Sequence, residues 1–434
     1  MRTSTPRDLA RTVHRTQSGR VAGSPGLETL TTIIGVMFSA SLQREERQPI
    51  LFHVVYLDPM NPDPDPPPRV RENRWVYVPF AAPQQFTAAN MVKLAKATDP
   101  RTSSLVVYPD KDGELRAWGL VDQGTGYFDM LNYEGPGGWS PPGRFQVSIL
   151  GIGHIEVQAA HQRLGELKGV ELAGRAIDAL HTGPLLSALM PGISRSTAQV
   201  RREANRRLAF YDADNDQEVI DYWLGSLCRL LLRVRTYGHG GAILITSSAA
   251  RSKVPTGLNV KYGLDYGRLA TSVVSRTSAA WANSVFYSQI VDRLDAREET
   301  LPSDFYVNQA VTDGDREDAE ESVDGALWFI SLLTRVDGLV LMTPTLAVKG
   351  FGVEITIDQA PARTELALDA AAKRTRMLAY NHFGTRHRSM MRFCYARAGS
   401  IGFVVSQDGD VRAMTRVGAT LLVWENIELH QRLG

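Results

Sequence analysis

The sequence predicts an α/β protein: a mixed-sheet α/β domain over residues 236–434, preceded by an α+β domain over 21–235 and a disordered tail over 1–20. Three observations predict it. Strand-like runs punctuated by Pro and Gly recur between residues 27 and 158. Helical periodicity dominates from Ala159 to about residue 235. Gly238-His-Gly-Gly241 then leads into the short apolar run Ala242-Ile-Leu-Ile245, the pattern of a buried strand after a tight turn, and helix and strand patterns alternate from there onward.

Taken in order, Arg2, Arg7, Arg11, Arg15 and Arg20 stand among Ser and Thr and read as a solvated tail. Ile50–Tyr56 reads as a strand, the Pro-rich Asn61–Pro68 as a loop, and Trp75–Phe80 and Phe145–Gln158 as further strands on either side of a Gly/Pro breaker at 135–143. Ile177–Leu189, Ser194–Phe210 and Gln217–Arg235 read as helices, the second carrying five arginines on a solvated face. In the C-terminal half, Tyr266–Leu294 and Ala319–Val336 read as helices separated by an acidic loop at 311–318. Gly338–Met342 and Leu346–Ile357 form a candidate hairpin. Leu366–Tyr380 reads as a helix on its alanines, and Ser389–Ala398 as another. Ser400–Ser406 and Val411–Met414 read as strands joined through Asp408-Gly409.

The 434 residues carry 48 Lys+Arg against 47 Asp+Glu, a net +1 that offers no bulk attraction to nucleic acid or an anionic membrane. No apolar run is long enough for a transmembrane helix, and no secretory leader is apparent, so a cytoplasmic location without membrane or specific nucleic-acid partners is expected. Cys228 and Cys394 are isolated from each other and from any zinc-ligand spacing, which argues against disulfides and structural zinc. GxxxxGK[ST], GxSxG and HExxH patterns are all missing, which removes several enzyme classes.

The densest polar cluster of the C-terminal half is Gly384-Thr-Arg-His-Arg-Ser389. Two guanidiniums can each take phosphate oxygens bidentately, the hydroxyls add donors, and the amides of the following helix start face an anion. A polar helix start with its arginines in solvent is the competing reading. Asp337-Gly338 stands where a helix hands over to a strand, a place where an Asp can hold a metal or simply make a turn. Ser406-Gln407 closes a strand with two more hydrogen-bonding side chains.

Together these residues resemble the diadenylate cyclase domain family. That family carries an Asp-Gly-Ala motif at a strand start, then Gly-Thr-Arg-His-Arg, then a strand closing on Ser-Gln or Ser-Glu. Gly384–Arg388 matches intact, Ser406-Gln407 stands in the expected place, and Gly241–Ile245 looks like the family's first strand. The residues in front resemble the sensor domains fused to some such cyclases. Two Asp-Gly pairs compete for the first motif. Asp324-Gly325-Ala326 matches literally but opens a helical run, whereas Asp337-Gly338-Leu339 follows that helix and feeds a strand–turn–strand unit, so Asp337 is chosen.

The resemblance implies two ATP condensed into cyclic di-AMP with release of pyrophosphate, under control of the N-terminal domain. Asp337 would hold Mg2+ or Mn2+ together with His387 and assist deprotonation of a ribose 3′-hydroxyl, with Gly338 allowing close backbone approach. Arg386, His387 and Arg388 would hold the α-phosphate, metal and leaving group. Leu339, Gly384, Thr385, Ser389, Ser406 and Gln407 would complete the ATP site. Two such domains must face each other, so a homo-oligomer is expected. Leu339 replaces the family's alanine, and the alternative it suggests is a catalytically inactive nucleotide-binding sensor module.

Overall fold

The computed structural model describes residues 3–17, 24–45, 48–63, 74–135, 145–159, 162–173, 176–208, 216–247, 255–295, 303–407 and 409–430. The expected Pro-rich loop beyond 63, most of the breaker at 135–143 and Asp408 of the expected hairpin turn lie outside these. The chain forms two compact units, Met1–Ala176 with His430–Gly434, and Ile177–Leu429. The boundary expected near 236 therefore falls inside the second unit. Among the described residues no helix is long and apolar enough to cross a membrane.

In the first unit, helices α1 (Pro6–Gln17), α2 (Leu27–Ser41) and α3 (Ala88–Ala95) share one core with a sheet. Apart from the small hairpin of β1 (Arg44–Glu45) and β2 (Gln48–Pro49), its strands are β3 (Phe52–Tyr56), β4 (Val76–Gln85), β5 (Ser103–Pro109), β6 (Leu115–Asp122), β7 (Phe145–Gly151), β8 (His154–Ala159), β9 (Gln162–Lys168) and β10 (Glu171–Ala173), with a short helix α4 (Gly126–Leu131) after β6. The order is β10-β9-β8-β7-β3-β5-β6-β4, antiparallel except for β3 beside β5. Alternation sends Phe52, Val54, Val147, Ile149, Ile155 and Val157 into the helical side.

The tail expected over residues 1–20 is largely helix. Leu9 and Val13, four apart, are fully buried. The start is capped: Thr5 donates its amide at 3.0 Å and its hydroxyl at 2.7 Å to the Asp8 carboxylate, and Pro6 takes the first helical position. The motif Thr5-Pro-Arg-Asp8 is the local sequence signal for this helix start.

The second unit opens with α5 (Gly183–Leu208), which runs through Pro191, and α6 (Asp216–Thr236). Its sheet comprises β11 (Gly241–Ile245), β12 (Leu258–Tyr266), β13 (Leu339–Met342), β14 (Val348–Ile355), β15 (Thr364–Ala367), β16 (Thr375–Met377), β17 (Ile401–Val405), β18 (Val411–Val417) and β19 (Thr420–Trp424). Helices α7 (Arg268–Asp295) and α8 (Ser303–Leu333) separate β12 from β13, and α9 (Thr385–Ala396) precedes β17. The order is β12-β14-β13-β11-β17-β18-β19-β15-β16, with parallel neighbours only at β11–β13 and β15–β19. This is the mixed sheet that the sequence predicts. Ala242, Leu244, Leu339, Leu341 and Val353 pack with Met390, Met391 and Phe393 of α9, while Ile243, Ile245, Val340 and Met342, also buried, alternate to the other face.

Two expectations fail here. The acidic stretch 311–318 is interior to α8, which runs antiparallel to α7: Arg268 reaches Ser322 at 3.1 Å, Arg276 reaches Glu320 at 2.8 Å, and Asn283 donates to Asp313 at 2.7 Å. Its polar side chains are those of a solvated helix face. Leu366–Tyr380 is β15, β16 and a 3-10 turn, because Asp369 accepts the amides of Lys373 and Arg374 at 2.9 and 3.0 Å and closes a tight turn. Sheet pairing overrides the alanines' helical preference there.

Asp324, within the helix as its sequence context suggests, contacts Arg229 and Arg233 of α6, the latter at 3.1 Å. Arg229 also donates to Glu320 at 2.6 Å, and Tyr222 donates its hydroxyl to Glu320 at 2.9 Å. Burial alone would raise the Glu320 carboxyl, yet Arg229 with its hydrogen-bonding partners holds it below the usual range. This network ties α6, α7 and α8 together.

Candidate functional site

Strand direction gathers the motif residues at one edge of the second sheet. β11 and β13 run parallel with Ile243 opposite Val340, so Gly240 and Asp337-Gly338 precede neighbouring strand starts. β17 runs antiparallel to β11 with Val405 opposite Gly241, so Ser406-Gln407 leave at the same edge. At about 4.8 Å per strand, the Asp337 and Ser406 backbones stand about 10 Å apart, the scale of a polyphosphate.

Close backbone packing makes two glycines obligatory. Gly338 has φ +114°, and a Cβ there would lie 2.6 Å from the carbonyl carbon of Gly352. Gly240 has φ +69°, and a Cβ there would lie 2.8 Å from the Val405 oxygen, 3.0 Å from Arg386 Nη1 and 3.2 Å from the Gln407 amide nitrogen. The turn before β11, the first turn of α9 and the end of β17 therefore meet. Sequence reasoning read Gly240 only as part of a tight turn.

Gly384 is the extended N-cap of α9 and supplies no side-chain cap. The first amide hydrogen-bonded within the helix is that of Arg388, at 3.0 Å to the Gly384 oxygen, leaving those of Thr385, Arg386 and His387 unpaired in the helix. Thr385 is exposed. The Arg386 and Arg388 side chains have no carboxylate partner among the described residues, and Arg388 Nε is buried without a hydrogen bond. Two uncompensated guanidiniums beside free helix amides are the residue set that could hold an anion. Ser389 instead donates to the Arg386 oxygen at 3.1 Å, and the Ser406 hydroxyl accepts the Asp410 amide at 3.0 Å, so each spends a bond locally; Gln407 is exposed.

Asp337 is exposed at the strand start. Leu339 is only 5% exposed and packs under α9, so its side chain belongs to the core and only its backbone can meet a ligand at the edge. His387 is half-buried; burial first, then the charges of Arg412 and Arg386, pulls its imidazole down to about 4, and it is neutral at pH 7. Its Nε2 lies 3.2 Å from Arg412 Nη1. That nitrogen's lone pair is therefore engaged.

The donor set fits a divalent cation only in part. Asp337 offers a hard carboxylate oxygen, and Mg2+ commonly takes one or two carboxylates with phosphate oxygens and water. Among the described residues no three metal-ligand side chains cluster together, and His387 Nε2 faces a cation. Asp337 fits the role; Nε2 of His387 does not. Arg412 and its partner Glu425 escaped sequence reasoning. The available signal was strand alternation, which places Arg412 on the same face as Met414, beneath α9.

No curated protein matches the chain. A family model described as "Probable sensor domain DACNV" matches residues 20–122, the stretch from α2 to β6. The strands β7–β10 complete the same sheet outside the matched stretch. The N-terminal part of the chain is thus similar to a sensor domain.

Proposed function

We propose that the second unit binds ATP at the edge formed by Asp337-Gly338, Gly240, the first turn of α9 and Gln407, and condenses two ATP into cyclic di-AMP under control of the N-terminal sensor domain. The observation that carries this reading is the meeting of the unpaired Arg386 guanidinium with Gly240 and the Gln407 amide on the edge where Asp337 stands, with Arg388, also without a carboxylate partner, two residues on in the same helix turn. The similarity of residues 20–122 to a sensor domain agrees with a regulated module.

In this reading Arg386 and Arg388 clamp phosphate oxygens and neutralise the charge that develops on the leaving pyrophosphate. The free amides of Thr385 and Arg386 add donors at the helix start. Neutral His387 donates a hydrogen bond without adding charge. Asp337 orients the ribose 3′-hydroxyl and takes up its proton as the 3′-oxygen bonds to the partner's α-phosphorus and the α–β bridging bond breaks. A bound Mg2+ or Mn2+, held by Asp337, would supply further charge neutralisation. Each 3′-hydroxyl meets the α-phosphate held by a facing copy, so turnover requires a homo-oligomer.

Incubation of the purified chain with ATP and Mg2+ or Mn2+, followed by mass spectrometry, tests this. Cyclic di-AMP and pyrophosphate are expected. ATP binding without product would assign the unit to nucleotide sensing, and absence of binding would overturn the site.

A further inference from the structure

A polar chain behind His387 lies outside every residue to which the cyclase resemblance assigns a role. Arg412 of β18 donates from Nη1 to His387 Nε2 at 3.2 Å and from Nε to Glu425 Oε1 at 3.2 Å, with Asp410 Oδ2 4.0 Å from Nη2. Its side chain is 20% exposed, and its guanidinium lies 5.7 Å from the Phe383 ring centroid; that ring in turn lies 5.8 Å from the His387 ring. The imidazole is thus held by a charged donor on one nitrogen and an aromatic ring alongside.

A guanidinium has five donors and no acceptor. The contact therefore requires the lone pair of Nε2, and in a neutral imidazole the proton must then sit on Nδ1. Among the described residues Nδ1 has no hydrogen-bond partner, so its N–H is available to a ligand. Glu425 holds the guanidinium that makes this choice, as the partner behind a functional histidine commonly does.

We propose that Arg412, anchored by Glu425, is a positioning residue that fixes His387 as the Nδ1–H tautomer, presenting a neutral N–H donor to an anionic ligand and withholding Nε2 from a metal ion. The tautomer stands on the geometry alone; its consequence for turnover rests on the cyclase reading above.

Long-range 1H–15N spectra of the full chain labelled with 15N-histidine at neutral pH test it, with His387→Asn identifying the signal. The wild-type signal should show a protonated Nδ1 and a bare Nε2. Arg412→Met, which keeps an unbranched side chain without a donor, should move the population toward Nε2–H. Arg412→Lys, which keeps a charged donor, should retain Nδ1–H. In turnover, Arg412→Met should lower kcat by on the order of 100-fold and change the KM for ATP by less than about twofold, the pattern of a misplaced group rather than a lost binding contact. An Nε2–H signal in the wild type, or an unchanged signal in Arg412→Met, overturns the assignment whatever the activity. An Nδ1–H wild-type signal from a chain that makes no cyclic product overturns the cyclase reading and leaves the role of Arg412 intact.

Discussion

Replacing Asp324 and Asp337 separately by alanine distinguishes a carboxylate that holds the helices together from one that serves the site. Asp324 contacts two buried guanidiniums, Arg229 with a side chain 4% exposed and Arg233 at 9%, while its own side chain is 38% exposed. Breaking a fully buried pair costs roughly 3–5 kcal/mol. Two features reduce that figure: Asp324 is partly solvated, and Arg229 keeps Glu320 at 2.6 Å. Loss of hydrogen bonds to charged groups, about 1.5–3 kcal/mol, is the closer measure, and alanine's better helix propensity returns about 0.5 kcal/mol. The net loss is about 2 kcal/mol, a fall in Tm of about 4–8 °C for a unit of this size. Asp337 is exposed and lies outside the helices, so Asp337→Ala should stay within about 0.5 kcal/mol of wild type yet abolish metal-dependent turnover. Scanning calorimetry with the cyclic product assay reads both. A destabilised Asp337→Ala beside an unperturbed, inactive Asp324→Ala would refute the argument and restore the literal Asp-Gly-Ala match.

Arg386→Ala and Arg388→Ala should each weaken ATP binding about 10- to 100-fold by titration calorimetry, since each removes a charged phosphate contact of about 1.5–3 kcal/mol; unchanged affinity in both would remove the phosphate site. A fragment of residues 177–434 should be soluble and melt cooperatively, whereas one starting at 236 should not, because it lacks α5 and α6 and uncovers the apolar surface that buries Trp223, Leu227 and Leu231. His53 of β3 accepts a hydrogen bond on Nδ1 from Gln146 at 2.8 Å, and burial, only partly offset by Asp99, pulls its imidazole down to about 4. Between its ordinary 6.5 and that value the unfolded chain binds the proton more readily, so the first unit should lose stability as pH falls through this window. In His53→Gln the Tm should vary less with pH there, as followed by calorimetry across that range.

Local chemistry made much of the second unit legible. The triple-glycine turn into Ala242–Ile245 and the hairpin after Gly338 depend on contacts a few residues apart, and both form where the pattern puts them; the helix expected from Ser389 starts four residues earlier, at Thr385, so Thr385–Arg388 form its first turn. The order of residues around the motif also suggested that Asp337 belongs at a strand start and Asp324 in the helix before it.

Tertiary structure decided what depends on partners distant in the chain. The arginines of residues 1–20 look like a tail until Leu9 and Val13 find the sheet to bury against. The acidic run 311–318 becomes helix because α7 supplies Asn283 and a packing surface, and Leu366–Tyr380 becomes strand because β19 offers an unpaired edge to β15. The site follows the same rule. Its residue types are readable in Gly384–Ser389, but their meeting with Gly240 and Gln407 is set by the order β13-β11-β17, and Arg412 reaches His387 only because β18 lies beside β17 beneath α9. Periodicity and turn chemistry act over a few residues and are written in the sequence; strand order and the pairing of charges across it are collective outcomes of burying one sheet under one set of helices, and only the folded chain contains them.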